Sequence, residues 1–277
     1  MRTSENTPRA STGDVDGAAH GQGPGVLVML HAAGSGPHQL DALARLLVPA
    51  VGSTVAPVLD GGTGPLGGKR ENPFSGGVRL VDRLLDKNGG GRRLLFGHSM
   101  GGLVATLALA SGSQVDAAVL YEPIVLSLLD DNDDDDRRAL DWDRAVIATL
   151  HQRMAEGDAA GGVKHFIESY GQVRWEALPA AARDVLVAQA PNLLATALAT
   201  HAQGLDPAAL MAIPAPVLII SGSRSPDVTR RMADRLAECL VHGERVEIDG
   251  LGHMGAVAAP QRVHDCILAF LTRLGLS

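Results

Sequence analysis

The chain has few aromatic residues, few cysteines and no long apolar run. Aromatic residues make up 3% of its 277 residues, whereas apolar residues as a whole make up 45%. A hydrophobic core would therefore be built mainly from Ala, Leu and Val. A chain of this length can bury a large core, either as one domain with an insertion or as two small domains.

The shortage of basic residues, cysteines and long apolar segments excludes several classes of function. A net charge of -7 argues against a nucleic-acid or anionic-membrane partner, because either would need a basic surface. Cys239 and Cys266 offer neither a disulfide framework nor metal-ligand spacing, which is typical of free thiols in a reducing compartment. The N-terminus also lacks the apolar region of a signal peptide. We therefore expect a cytoplasmic protein whose partner is a small molecule, with no nucleic acid and no membrane.

The composition and the periodicity of apolar residues divide the chain into segments. Residues 1–24 hold too little apolar surface to offset the entropy of ordering them, which predicts a flexible leader. Strands alternate with helices over residues 25–122 and 212–277, whereas residues 123–211 show helical patterns without a convincing strand. The pattern predicts an α/β fold, a doubly wound and mostly parallel sheet with a helical cap insertion. The predicted strands are 26–30, 55–59, 92–96, 116–121, 217–220 and 245–248.

Three stretches stand outside this alternation. Residues 60–77 are dense in Gly and Pro and predict a long loop. No clear strand precedes Val26, so we expect the first edge of the sheet to be trimmed or covered by another subunit, as in a homodimer. Residues 130–136 are six aspartates and one asparagine, which predicts a solvated loop of the cap, since like charges repel. The run lacks the glycine-spaced ligands and the closing glutamate of a calcium loop.

The stretch Gly97-His98-Ser99-Met100-Gly101 carries the clearest chemical signal. It lies between an apolar run of strand length, 92–96, and a run of helix formers, 102–110. A serine at such a strand-to-helix turn is exposed above the sheet, and small residues two positions before and after it let the strand and helix approach closely. The N–H of Met100 begins the helix and would donate to an oxyanion. This context predicts a nucleophilic Ser99, whereas the five residues without it would be equally typical of a chance turn.

A serine nucleophile needs a base, and the base needs a third group to orient it. His253 is the candidate base, because it follows the last predicted strand and so lies in a loop at the same sheet edge as Ser99. The alternative interpretation is a loop histidine without a role. The side chain of His98 is expected to point away from the cleft. The remaining histidines show no metal-ligand spacing, and no cofactor is predicted.

Together, His31-Ala32-Ala33-Gly34, the serine stretch 97–101 and Gly252-His253 resemble the α/β-hydrolase superfamily with a helical cap. The resemblance spans about residues 24–275. The matching motifs are specific for the fold but give little information about the substrate. In that family the loop matching residues 31–34 supplies the second oxyanion donor, which the resemblance assigns here to the N–H of Ala33. Most relatives have glycine where this chain has Ala32.

The acidic partner of His253 stays open among three carboxylates. Most of the family carries an aspartate after the penultimate strand, where this chain has Ser225, and a serine cannot serve as the acid. Asp227 lies two residues further on, but a residue after proline at a helix start fits an N-terminal charge equally well. Glu122 follows the predicted strand after the helix at 102–110, where the similar haloalkane-dehalogenase branch carries its acid. We favour Glu122 over Asp227, with another carboxylate such as Asp249 as the third alternative.

These residues predict a serine hydrolase that acts on a carboxylic ester, lactone or thioester of a small, mostly apolar molecule. The cap would set the substrate. The predicted substrate-binding residues are His31, Trp142, Tyr170 and Trp175. Two alternatives stay open: non-hydrolytic chemistry at the same site, such as acyl transfer, cyclisation or C–C bond cleavage, and a catalytically silent protein that binds a small molecule.

Overall fold

The computed structural model describes residues 17–59, 74–87 and 90–277. These residues form one seven-stranded sheet in the order β1-β3-β2-β4-β5-β6-β7. The strands are β1 (Gly17–Gly21), β2 (Val26–Leu30), β3 (Ser53–Pro57), β4 (Arg93–His98), β5 (Ala117–Tyr121), β6 (Val217–Gly222) and β7 (Gly243–Ile248). Each pair of neighbours runs parallel except β1 and β3, which run antiparallel. The predicted α/β fold with a doubly wound, mostly parallel sheet is confirmed.

Helices cover both faces of the sheet. The core helices are α1 (Asp41–Val51), α2 (Ser75–Asp86), α3 (Met100–Ala110), α9 (Asp227–Cys239), α10 (Gly255–Ala258) and α11 (Pro260–Arg273). Along β2, Val26, Val28 and Leu30 pack in the cluster that holds α2, α3 and α9, whereas Leu27 and Met29 pack in the cluster that holds α1 and α11. Burial on both faces explains why the parallel strands are continuous apolar runs.

Strand β1 corrects one prediction from the sequence. It lies within residues 1–24, so the prediction of a flexible leader was wrong for Gly17–Gly21, while residues 1–16 lie outside the described part of the chain. The strand also forms the first edge of the sheet and adds the antiparallel pairing that no clear strand before Val26 had indicated, while coverage of this edge by another subunit stays a prediction. The segment Gly-Ala-Ala-His-Gly has little strand propensity, and pairing with β3 makes it a strand. A Cβ at Gly17 would lie 2.3 Å from the Ala56 carbonyl oxygen, so this close pairing requires glycine.

The predicted long loop over residues 60–77 is only partly described. Residues 60–73 lie outside the described ranges, whereas residues 75–77 belong to α2, so the helix begins three residues earlier than the apolar pattern from Val78 indicated. Gly77 faces α3, and a Cβ there would lie 2.9 Å from Val104 Cγ1. Gly76 and Gly77 are adjacent, and glycine disfavours helix and favours loops. Residue propensity therefore does not indicate that the helix starts at Ser75.

Five helices follow β5 before the chain returns to the sheet at β6. They are α4 (Asp134–Ala155), α5 (Ala159–Gly171), α6 (Ala180–Ala188), α7 (Ala190–Ala202) and α8 (Pro207–Met211). Several of these helices share a small apolar cluster of their own, formed by Leu150, Val163, Trp175, Ala190 and Leu193. No described helix is long and apolar enough to cross a membrane.

The acidic run starts a helix, so its prediction as a solvated loop was wrong. Asp133 caps α4 by accepting the N–H groups of Asp135 and Asp136, and negative charge in a first helical turn is favoured by the helix dipole. Asp136 is fully buried between two arginines of α9, Arg231 and Arg235. The arginines of α9 therefore balance the like charges of the acidic run. These ion pairs join the helical insertion to the core.

Candidate active site

Ser99 occupies the sharp turn between β4 and α3. Its backbone has φ 56° and ψ -118°, a conformation that costs energy for any residue with a side chain. The Ser99 N–H donates to the carbonyl of Tyr121 at 3.0 Å, which helps to hold the turn. A Cβ at Gly97 would lie 2.5 Å from the Gly101 oxygen, and a Cβ at Gly101 would lie 2.3 Å from the Leu30 oxygen. Glycine on both sides of the serine is what allows strand and helix to meet.

His253 joins Ser99 to a carboxylate. His253 Nε2 lies 3.1 Å from Ser99 Oγ, and His253 Nδ1 lies 2.7 Å from Glu122 Oε2. All three residues are buried. Because parallel strands present their carboxyl ends at one edge of a sheet, the loop after β7 and the residue after β5 reach the same place as the turn after β4. The structure thus brings the predicted nucleophile, base and favoured acid into one line of contacts.

Glu122 is held by three donors at once. Oε2 accepts from His253 Nδ1–H, while Oε1 accepts the Gly222 N–H at 2.8 Å and the hydroxyl of Ser225. Burial alone would raise the pKa of Glu122, but the hydrogen bond and charge of His253, with the bonds from Ser225 and Gly222, outweigh it and hold this pKa below its ordinary value. Glu122 also has a positive φ of 46°. The carboxylate is therefore buried and ionised.

Ser225 is the residue that the sequence reasoning missed. It stands at the position where the resemblance to the α/β-hydrolase superfamily implied an aspartate, and its hydroxyl binds Glu122 instead. Strand β6 pairs directly with β5, so the residues that follow each strand are neighbours. This pairing is the signal that links Ser225 with Glu122, and it is not visible without the strand order.

The two alternative carboxylates lie elsewhere. Asp227 begins α9, its side chain is 62% exposed, and it pairs with Arg230 at 2.8 Å. Asp227 thus lies at the N-terminus of a helix, as the alternative interpretation of this residue expected. Asp249 accepts from Ser223 Oγ at 2.9 Å in an exposed turn. The carboxylate beside His253 is Glu122, so the alternative assignments to Asp227 and Asp249 do not fit the structure.

The predicted oxyanion donors lie beside Ser99. Ala33 and Met100 both line the cavity that Ser99 opens into. Met100 is the first residue of α3, and the first N–H groups of a helix have no acceptor within the helix. Ala32 is buried, and its N–H is bound to Gln39 Oε1 at 3.1 Å. Of the two neighbouring alanines, Ala33 is therefore the one whose N–H fits the predicted role.

His31 shapes this loop and does not line the cavity, so its prediction as a substrate-binding residue was wrong. Its Nε2 accepts the N–H of Leu59 at 3.1 Å, and its Nδ1–H donates to the Ala32 carbonyl at 2.8 Å. Burial lowers the pKa of His31, with the bond to Ala32 opposing this effect. A neutral imidazole that accepts at one nitrogen and donates at the other suits both contacts. His31 thus fixes the backbone that carries Ala33.

Two further buried side chains hold the loop that carries His253. Tyr121 donates its hydroxyl to the Gly252 carbonyl at 2.8 Å, and His98 Nε2–H donates to the His253 carbonyl at 2.9 Å. Burial, together with the charge of His253, lowers the pKa of His98 to about 3, so this ring is neutral. His98 lies behind the base, with ring centroids 5.2 Å apart. These two contacts join residues that lie more than 130 positions apart, so the sequence pattern does not indicate them.

A cavity of about 190 Å³ lies over Ser99. Its walls are mostly apolar and come largely from α4, α5, α6 and α7. Of the predicted cap residues, Tyr170 lines it, and its ring lies 5.6 Å from that of His253. Trp175 is buried in the cluster with Leu150 and Leu193, and Trp142 is exposed and packs edge-on against Tyr170. The prediction that these two tryptophans contact substrate was wrong, because both pack the insertion itself.

No group of three or more His, Cys, Asp or Glu side chains within the described ranges is arranged to hold a metal ion.

Comparison with known proteins identifies the family. The model of the alpha/beta hydrolase family matches residues 12–265. MenH from S. aureus shares 21% identity over 93% of this chain and 98% of its own, with a TM-score of 0.71. A structure from a study of carboxylesterases of Nitrososphaera gargenis shares 20% identity over 93% of this chain and 94% of its own, with a TM-score of 0.69.

An esterase from Exiguobacterium antarcticum shares 16% identity over 92% of this chain and 94% of its own, with a TM-score of 0.70. Identities this low establish a shared fold. None of the curated proteins matches the sequence significantly.

Proposed function

We propose that this chain, which belongs to the alpha/beta hydrolase family, is a serine hydrolase that cleaves a carboxylic ester, lactone or thioester of a small, mostly apolar molecule. One observation carries the proposal: Ser99 Oγ, His253 and Glu122 form a continuous line of contacts at 3.1 Å and 2.7 Å. Such a line supplies the nucleophile, the base and the group that orients the base. The apolar cavity above it supports an apolar substrate.

The reaction follows from these contacts. Ser99 Oγ attacks the carbonyl carbon while His253 Nε2 takes the hydroxyl proton, and His253 then gives this proton to the leaving alcohol or thiol as the acyl–oxygen or acyl–sulfur bond breaks. Water attacks the resulting acyl-enzyme, His253 takes a proton from it, and the acid departs as the proton returns to Ser99. Glu122 keeps Nδ1 protonated and stabilises the imidazolium that forms in each half.

The charge that develops on the carbonyl oxygen is met by the N–H groups of Ala33 and Met100. Both lie at the cavity wall next to Ser99. The helix dipole of α3 adds positive potential at the same place. Removal of one such donor typically costs about 3–4 kcal/mol of transition-state stabilisation, which corresponds to a factor on the order of 10²–10³ in kcat.

A serine-directed fluorophosphonate tests the proposal. We expect the native protein to be labelled and to hydrolyse p-nitrophenyl esters, because the reagent reacts with an activated serine. Ser99→Ala should lose labelling and should lower kcat by a factor on the order of 10⁴ or more. Ser111→Ala, at the exposed far end of α3, is the matched control and should behave like the native chain.

Two results would overturn this function. Absence of labelling in the native protein would favour a protein that binds a small molecule without catalysis. Labelling without release of a free acid, but with transfer of the acyl group to an added alcohol or amine, would favour the non-hydrolytic alternative.

A further inference from the structure

A second pairing of carboxylate and imidazole lies in the same cavity, and the mechanism does not use it. Asp143 on α4 and His201 on α7 both line the cavity. Asp143 Oδ2 lies 2.6 Å from His201 Nε2, and Asp143 Oδ1 accepts the hydroxyl of Tyr170. Tyr170 in turn packs against His253. The pair therefore lies about one tyrosine side chain away from the reacting atoms.

Asp143 is an unusual residue for this wall. Its side chain is 3% exposed, and a buried carboxylate is costly unless it is fully hydrogen-bonded or paired. Oδ2 lies 2.6 Å from His201 Nε2 as an ion-pair contact and makes no hydrogen bond of good geometry. An oxygen whose contact is a partly exposed imidazole remains available to a donor that enters the cavity.

The charges around the cavity do not compensate Asp143 with a permanent cation. The titratable residues that line the described cavity are Asp143, Tyr170, His201 and His253, and no lysine or arginine joins them. Glu122 adds a second buried carboxylate behind His253. Burial and the neighbouring charge of Asp143 raise the pKa of Tyr170, so its hydroxyl stays neutral. The field around Asp143 therefore disfavours an anion at that end of the cavity.

Helix α7 presents polar residues at this end of the cavity. Leu193, Thr196, Ala197, Thr200 and His201 all line it, at the i, i+3, i+4, i+7 and i+8 spacing of one helix face. The face changes from apolar at Leu193 to polar at Thr200 and His201. The side chain of His201 is 26% exposed, so the polar end opens toward solvent.

We propose that Asp143 is a specificity residue which binds a hydrogen-bond donor, a hydroxyl or an ammonium group, at the end of the substrate remote from the scissile carbonyl. His201 covers Oδ2 from the solvent side and turns aside for this group. The inference rests on the proposed function and narrows its substrate class: the preferred ester is apolar in the middle, carries a donor at its far end, and is not an anion.

The test uses esters that differ only at the far end. Ethyl hexanoate, ethyl 6-hydroxyhexanoate, ethyl 6-aminohexanoate and ethyl hydrogen adipate end in a methyl, hydroxyl, ammonium and carboxylate group. The same four end groups on hexyl acetate place the donor on the alcohol side instead. Calorimetry with Ser99→Ala measures binding without turnover, and acid release by the native protein measures kcat/KM.

In at least one orientation, we expect the hydroxyl and ammonium esters to bind about tenfold tighter than the methyl ester, the scale of one hydrogen bond to a charged group. The carboxylate ester should bind about tenfold more weakly than the hydroxyl ester. In Ser99→Ala with Asp143→Asn, the ammonium and carboxylate esters should bind within about threefold of each other, because the charge that separates them is gone. Asp141→Asn removes an exposed charge from the same helix and should leave the preference intact.

Each remaining outcome bears on one of the two proposals. Equal binding of all four end groups in both orientations would overturn the inference, as would an Asp143→Asn variant that weakens every ester alike, since that result means that Asp143 only holds Tyr170. His201→Ala should keep the preference, and its loss there would assign recognition to His201 instead. A clear preference in binding without acid release from any ester would leave the inference standing and would contradict the hydrolase.

Discussion

Glu122 Oε2 lies 2.7 Å from His253 Nδ1, although 131 positions separate the two residues in the chain. Glu122 follows β5, and the loop that carries His253 follows β7. Between them lies β6, and the loop crosses its end so closely that a Cβ at Gly222 would lie 2.2 Å from the Leu251 oxygen. The carboxylate therefore reaches the imidazole across the end of an intervening strand.

Replacement of this carboxylate should stop turnover and leave substrate binding intact. Glu122→Gln keeps the shape of the side chain but cannot hold His253 in the required tautomer, so we expect kcat to fall by a factor of about 10³–10⁴ with little change in KM. Asp227→Asn and Asp249→Asn are controls of the same chemistry at exposed positions, and p-nitrophenyl ester hydrolysis compares all three. Loss of turnover in Asp227→Asn alone would contradict Glu122 as the acid.

Ser225→Ala should reveal how strongly the serine hydroxyl stabilises the ionised glutamate. The variant removes one donor from a buried carboxylate, which should lower the free energy of unfolding by about 1–3 kcal/mol at neutral pH. Because the pKa of Glu122 is depressed in the folded state, this contribution is present above its ordinary value of 4.5 and is lost as the pH falls through the lower folded value. Urea unfolding as a function of pH measures both effects.

Ser223→Ala is the matched control for this variant, since its hydroxyl binds the exposed Asp249. It should change the unfolding free energy by less than about 0.5 kcal/mol. A pH-independent difference between the native chain and Ser225→Ala would mean that the hydroxyl acts through packing and not through the charge of Glu122.

His98 should make the folded state sensitive to mild acid. Its pKa is lowered from 6.5 to about 3, so below pH 6.5 the unfolded chain binds a proton that the folded protein cannot, and stability falls as the pH falls. Between pH 7 and pH 5 this linkage amounts to about 2 kcal/mol. His98→Gln can still donate to the His253 carbonyl but does not titrate, so it should lose about that much less stability over the interval. Parallel stability curves for the two proteins would contradict a neutral buried His98.

Gly101→Ala should disrupt the turn that holds Ser99. The added Cβ would lie 2.3 Å from the backbone oxygen of Leu30, and backbone atoms of a central strand cannot move aside cheaply. We expect a loss of about 2–4 kcal/mol in unfolding free energy, together with loss of fluorophosphonate labelling in the protein that still folds. Gly36→Ala is the control, because a Cβ there meets nothing within 4 Å. Native stability in Gly101→Ala would show that the turn can widen.

Features that depend on local order were predictable from the sequence. A buried strand, a glycine-flanked serine and a helix follow one another within residues 92–110, so the turn at Ser99 is encoded by neighbours in the chain. The apolar runs of the central strands also predict a parallel sheet, because a strand that is buried on both faces needs apolar residues at every position. The strand β1 escaped prediction, since its five residues become a strand by pairing with β3.

Features that depend on distant charge or contact were not predictable in the same way. The aspartates of 130–136 repel one another when only their own sequence is considered, yet Arg231 and Arg235 lie about a hundred residues later and neutralise Asp136. Ser225 gives no sign of binding Glu122, and Asp143 gives no sign of lining the cavity beside Ser99.

The sequence by itself determined the parallel strands, the turn at Ser99 and the order in which a serine, a carboxylate and a histidine follow one another along the chain, because strand periodicity and turn chemistry are properties of consecutive residues. Only the tertiary structure decided which carboxylate meets His253, which residues support it and which side chains form the wall above Ser99. Those choices follow from strand order and helix packing, which bring together atoms that lie far apart in the chain.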